Sequence, residues 1–150
     1  MLAGQFTFTD YVISIGTTTL SEFTTTSWQP VTEYYRASQL QLSNSKKGWI
    51  YHEFSQPFEW DGESNIVVQI TRSITPNLTV GAQTRYTAAT NKVLTKNDNT
   101  NSLVDFTGTG TRSNNRPDVK FKFKDFGCQG DETPVYVAVI GQPAADAAIS

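Results

Sequence analysis

The residues able to do chemistry are few. His52 is the only histidine of the chain and Cys128 the only cysteine. An imidazole near neutrality can serve as a general base or a metal ligand. One imidazole cannot build a metal site by itself, and no serine or cysteine nucleophile motif accompanies His52. Flanked by Tyr51 and Glu53 on an alternating stretch, it is expected on the surface of a strand. Cys128 has no partner for a disulfide within the chain, so it is expected as a buried or orphan thiol. This inventory points away from an enzyme and from a resident cofactor.

Oxygen ligands remain. Asp98, Asn99, Asn101 and Asp105 form an oxygen-rich stretch that could hold Ca2+, although the glycine and closing glutamate of a calcium loop are missing. Asp61-Gly62-Glu63-Ser64-Asn65 could gather a carboxylate and amides around the same ion. The simpler expectation there is a turn, with Asp61 capping its own backbone and Gly62 at positive φ. Aromatic side chains offer another chemistry, stacking on the apolar face of a sugar. Trp28, Tyr34 and Tyr35, close to Pro30, are the candidate ligand-binding residues because an extended segment should expose them. Trp49, Phe58 and Trp60 fall where alternation points inward and are expected in the core. Lys120, Lys122 and Lys124 make a basic strand face, best read as protection of a sheet edge.

Composition limits what these groups can serve. Lys+Arg number 12 against 14 Asp+Glu, so the basic footprint of a nucleic-acid binder is missing. No apolar run approaches the roughly 18 residues of a membrane span. Met1-Leu2-Ala3-Gly4-Gln5 has neither a basic nor an apolar leader character, so no signal peptide is expected in this chain. Thr, Ser, Asn and Gly are plentiful, as in many secreted and cell-surface proteins.

The elements that must position the candidates read as strands. Phe6, Phe8, Tyr11, Ile13 and Ile15 alternate with polar residues, with a slip at Asp10-Tyr11 that predicts a bulge. Residues 16–26, rich in Thr, lack an apolar stripe and are expected as loop. Pro30 demotes 28–35 to an edge strand or extended segment. Residues 43–48 signal a turn. Strands follow over 49–54 and over 65–70, the latter β-branched and expected to be central. Further strands are read at 78–86, at Val93-Leu94, along Val119, Phe121 and Phe123, and over 133–140. Residues 107–115 read as loop. Residues 127–132 read as a hinge and 141–150 as the start of an interdomain linker. Seven to nine short strands without helical period predict an all-β fold, an antiparallel β-sandwich. Its expected extent is 1–126, with 127–150 supplying the hinge, one strand and the linker.

Several of these stretches together resemble a module of large Bacteroidetes surface proteins. They are Tyr11-Val12-Ile13-Ser14-Ile15-Gly16-Thr17-Thr18, Gly48-Trp49-Ile50-Tyr51, and Pro57-Phe58-Glu59-Trp60-Asp61-Gly62-Glu63-Ser64-Asn65-Ile66-Val67-Val68. To these add Arg116-Pro117-Asp118-Val119-Lys120-Phe121, Cys128-Gln129-Gly130 and Thr133-Pro134-Val135-Tyr136-Val137. The resemblance implies a jelly-roll-like sandwich in a secreted or surface-displayed, adhesin-like protein exported by type IX secretion, as in gliding-motility adhesins. It implies a non-catalytic structural or adhesive role, with other domains or chains of a larger surface protein as partners. The alternatives it leaves open are a carbohydrate-binding module with glycan as partner, and an accessory domain of a secreted protease. The Asn77-Leu78-Thr79 sequon is discounted for a bacterial chain. Family members carry strands before the position of Phe6, so the sandwich is expected to lack its N-terminal strands. Either the chain is a piece of a longer polypeptide, or another chain donates them.

Overall fold

A computed structural model describes residues 5–43, 48–73, 85–96, 106, 108–122, 136–139 and 145–149. The described residues carry strands and no helix, so the chain is all-β, as its alternation predicts. The strands are β1 (Gln5–Thr18), β2 (Thr32–Ser43), β3 (Tyr51–Glu53), β4 (Asn65–Ser73), β5 (Tyr86–Lys96), β6 (Thr111–Pro117), β7 (Val119–Phe121), β8 (Tyr136–Val139) and β9 (Ala145–Ile149). They form a six-stranded sheet, β2-β1-β4-β9-β5-β6, and a three-stranded sheet, β3-β8-β7. Every pairing is antiparallel.

Two bulges put the core together. Asp10 has φ 50, a left-handed conformation that Asp tolerates better than most residues. The ladder between β1 and β4 shifts register between Thr9 and Val12. This slip, anticipated at Asp10-Tyr11, returns Tyr11, Ile13 and Ile15 to the face already occupied by Phe8, and all four are buried in one cluster. The second bulge lies opposite, where Ile13 pairs with Tyr35 but Ser14 pairs with Glu33. Tyr34 is the extra residue, so the consecutive Tyr34 and Tyr35 both pack on the same cluster.

β4 is central, as its β-branched run predicts. Ile66, Val68 and Ile70 join the cluster with Phe8, while Val67 points to the opposite face and packs with Phe23 and Leu94. Side chains of the smaller sheet and its approaches cover the first face: Phe54, Phe58, Val119 and Phe121 all reach it. The second face is covered by irregular chain. The Thr-rich stretch is without strand beyond Thr18, as expected, yet it is not a passive loop: Phe23 is 1% exposed, with Leu20, Trp28 and Val31 packed beside it. The stretch is pinned by Phe23 N–H to Asn91 O at 2.8 Å, by Gly110 N–H to Thr26 O at 3.0 Å and by Lys92 Nζ to Ser21 O. Gly16 permits the return of this segment, since a Cβ there would stand 2.2 Å from Pro30 O.

Two readings are corrected. Residues 111–115, expected within a loop, belong to edge strand β6, whose polar residues are mostly exposed on both sides. Residues 145–149, expected as linker, form β9 between β4 and β5. β1 is paired on both sides, by β2 and by β4. Among the described residues no helix is long and apolar enough to cross a membrane.

Candidate functional site

The aromatic residues divide into two neighbourhoods. One is closed. His52, at the centre of β3, is 3% exposed, not on the surface as expected. Its ring stacks on Tyr11 at 5.4 Å between centroids and 25° between planes, and meets Tyr35 at 4.7 Å. Burial among rings penalises the imidazolium, and the His52 pKa falls from 6.5 to about 4. Tyr11 is shifted upward, first by burial and then by the nearby Tyr35. The imidazole is therefore neutral at physiological pH, and among the described residues it packs against the Tyr11 and Tyr35 rings.

The candidate platform residues belong to the same interior or to the opposite one. Tyr34 meets Phe54 and Phe58, both at 5.5 Å, and its carbonyl accepts a hydrogen bond from Ser55 N–H at 2.8 Å. Trp28 lies on the other face of the sheet, edge-on to Phe106 at 4.5 Å and against Gly110, where a Cβ would be 2.8 Å from the indole. Trp28, Tyr34 and Tyr35 are half-buried on two sides of one sheet, so the structure does not bring them together as a platform. Asp98, Asn99, Asn101 and Asp105 lie outside the described residues, as does Cys128. Among the described residues no group of three or more His, Cys, Asp or Glu could hold a metal ion.

The other neighbourhood is open. A groove of about 660 Å³ is lined by Trp49, Trp60, Glu63, Ser64, Asn65, Ile66, Val68, Thr87, Arg116, Pro117, Asp118, Val119, Lys120 and Phe121. Both sheets contribute to it. Buried Ile66 and Val68 of β4 and half-buried Val119 and Phe121 of β7 supply apolar surface. Trp60, expected in the core, is instead 41% exposed. Residues 54–64 contain no strand beyond Glu53, so the two-residue period that predicted an inward Trp60 has no pleat to act on.

Local chemistry fixes that ring. Asp61 Oδ1 accepts hydrogen bonds from the backbone N–H groups of Glu63 at 2.9 Å and Ser64 at 2.8 Å, and Ser64 Oγ donates to Asp61 Oδ2 at 2.5 Å. Gly62 sits at φ 80. This is the self-capping turn that the sequence suggested in preference to calcium. The Ser64 hydroxyl, then the two amides, hold the Asp61 carboxyl below its ordinary pKa. Closed in this way, the turn presents the Ser64 carbonyl to the Trp60 indole N–H at 2.7 Å. The indole is thereby oriented at the lining of the groove.

The other side of the groove is a corner between sheets. The chain leaves β6 at Pro117 and enters β7 at Val119. Asp118 makes the step, its N–H donating to Arg85 O at 3.1 Å and its Oδ1 accepting from Thr87 Oγ1 at 2.6 Å. Lys120 reaches back over Trp49, with Nζ 4.3 Å from the ring centroid, a cation–π contact. The groove thus combines indole rings, two cations, two carboxylates, and hydroxyls already engaged with Asp61 and Asp118. That set suits polar, many-hydroxyl ligands with an apolar face, and His52 is not in its lining. Comparison with known proteins finds no matching family model, no matching curated protein and no matching solved structure.

Proposed function

We propose that the chain is a non-catalytic adhesive module of a secreted or surface-displayed multidomain protein, and that it attaches by holding a saccharide in the Trp49–Trp60 groove. The observation that carries this reading is the exposed Trp60 ring, oriented by its N–H bond to the Ser64 carbonyl. A ring fixed before binding loses little freedom when a sugar stacks on it. Arg116, Lys120 and Glu63 supply donors and acceptors for hydroxyls around that stack. The groove's volume falls in the range of roughly 300–1,000 Å³ usual for small-ligand sites. The resemblance to surface modules supports the setting, and its more specific block, residues 60–68, contains the turn that orients Trp60.

The test is a glycan array probed with the intact chain, followed by calorimetric titration of any oligosaccharide that binds. Trp60→Ala should weaken that binding at least tenfold, as removal of a central aromatic anchor does. A folded chain that retains no arrayed glycan would overturn the reading. So would a Trp60→Ala chain that binds as tightly as the parent.

A further inference from the structure

β4 and β5 are not hydrogen-bonded to each other; β9 lies between them. Val67, Val68, Gln69 and Ile70 of β4 pair with Ile149, Ala148, Ala147 and Asp146, and residues 93–96 of β5 pair with residues 148–145 from the other side. Both ladders are antiparallel, so β4 and β5 run in the same direction with one strand's width of backbone donors and acceptors between them. The walls of this slot are held independently of β9. β4 is paired to β1 along the length from Thr9 to Thr18, and β5 is paired to β6. An empty slot would leave two rows of unpaired N–H and C=O groups in the middle of a sheet, which is costly. The slot therefore demands a strand.

The strand that fills it is weakly specified by its own residues. β9 reads Ala-Asp-Ala-Ala-Ile, and Ala and Asp are depleted in strands. Backbone ladders hold it on both sides, and those would be the same for this segment from any copy of the chain. β9 also has no hairpin tie to either neighbour. The strand before it, β8, belongs to the other sheet, and the intervening sequence, residues 140–144, contains Gly141 and Pro143. Exchange of one such segment between copies keeps every pair and changes only which chain supplies it.

We propose that the β4/β5 slot is a strand-exchange site, filled in an assembly by residues 145–149 of a second copy of this chain. It is a route to self-association that needs no surface beyond the sheet itself. It is argued without reference to saccharide binding, although Val68 of β4 both lines the Trp60 groove and pairs with Ala148 in the slot.

The test uses full-length chains in a Cys128→Ser background. Thr95 and Asp146 are Cα partners across the β5–β9 ladder. Thr95→Cys is placed on one chain and Asp146→Cys on a second chain carrying a heavy-isotope label. The two are mixed at increasing concentration under a mild oxidant and analysed by non-reducing electrophoresis and peptide mass mapping. The expected product is a mixed-label dimer, twice the mass of the chain, linked 95–146, whose fraction rises with concentration. If Thr95→Cys prevents folding, Lys96→Cys with Ala145→Cys probes the next rung of the same ladder. A mixture that forms no 95–146 or 96–145 link at any concentration, while one chain carrying both substitutions closes fully on itself, overturns exchange. Failure of both pairs to close even within one folded chain overturns the slot.

Discussion

The closed neighbourhood around His52 and the open one around Trp60 are built from similar aromatic stock. In the first, Tyr11, Tyr35 and His52 sit on three strands from two sheets, and their ring contacts close the space between them. In the second, Trp60 and Trp49 lie outside the strands, one in a carboxylate-capped turn and one just before β3. Tyr11, Tyr35 and His52 are directed inward by the register of the strands that carry them, whereas the Trp60 ring is held by a local hydrogen bond to the Ser64 carbonyl. The contrast separates side chains enclosed between the sheets from side chains that line the open groove.

The comparison is broken most severely by emptying the closed side. Phe8 is fully buried and lies 6.4 Å from the Tyr11 ring, with the Arg72 guanidinium 4.5 Å above its centroid. Phe8→Ala removes a core ring and leaves a cavity between rigid strands, at a cost of about 3–5 kcal/mol. Urea unfolding monitored by far-ultraviolet circular dichroism should show a loss of unfolding free energy of that size. A free-energy loss under ~1 kcal/mol would mean that the ring is not enclosed.

Acid acts on the same neighbourhood through His52. Its pKa is about 4 when folded and 6.5 otherwise. The unfolded chain therefore binds more protons between these values. The stability associated with the neutral imidazole is complete above pH 6.5 and is lost as pH falls from 6.5 toward 4. The full loss is on the order of 3 kcal/mol. Asp61 and Glu33 also have lowered pKa values, through bonds to Ser64 and Arg36 respectively, but both are carboxylates that act at lower pH. Comparison of urea midpoints at pH 7.5 and 5 in the parent and in His52→Phe isolates the imidazole. The parent should lose stability across that interval and the variant should not. Equal losses in the two would remove His52 as the cause.

How much of this was legible follows from where a period exists. Phe8, Ile13 and Ile15 alternate, and even the break at Asp10 could be read because the apolar residues change phase there. β4 could be read as central because β-branched residues occupy both of its faces. The covering of the second face could not be read: Phe23 stands alone among threonines, and its burial depends on Asn91 and Gly110 far along the chain. β6 has polar residues on both sides and β9 is mainly alanine, so neither offers an apolar face to alternate. For the candidate site, the self-capping turn at Asp61 was plain from its residue types. The exposure of Trp60 was not, because residues 57–60 mimic a strand in sequence while lacking one in structure. The meeting of that turn with Asp118 and Lys120 is long-range, and no local pattern could announce it.

The smallest expected effect sharpens the contrast from the open side. Trp60→Ala removes a ring that is 41% exposed and one hydrogen bond to the Ser64 carbonyl. That carbonyl can turn to water, and the Asp61 bonds to Glu63 and Ser64 do not involve the indole. The turn should therefore survive, and the loss of stability should be about 1 kcal/mol or less. The check is a urea midpoint for Trp60→Ala set beside that for Phe8→Ala under identical conditions. A small shift beside a large one is what a ring kept for contact rather than for the core requires. A loss comparable to that of Phe8→Ala would place Trp60 among the residues that hold the sheets together, and the groove would then be a by-product of packing.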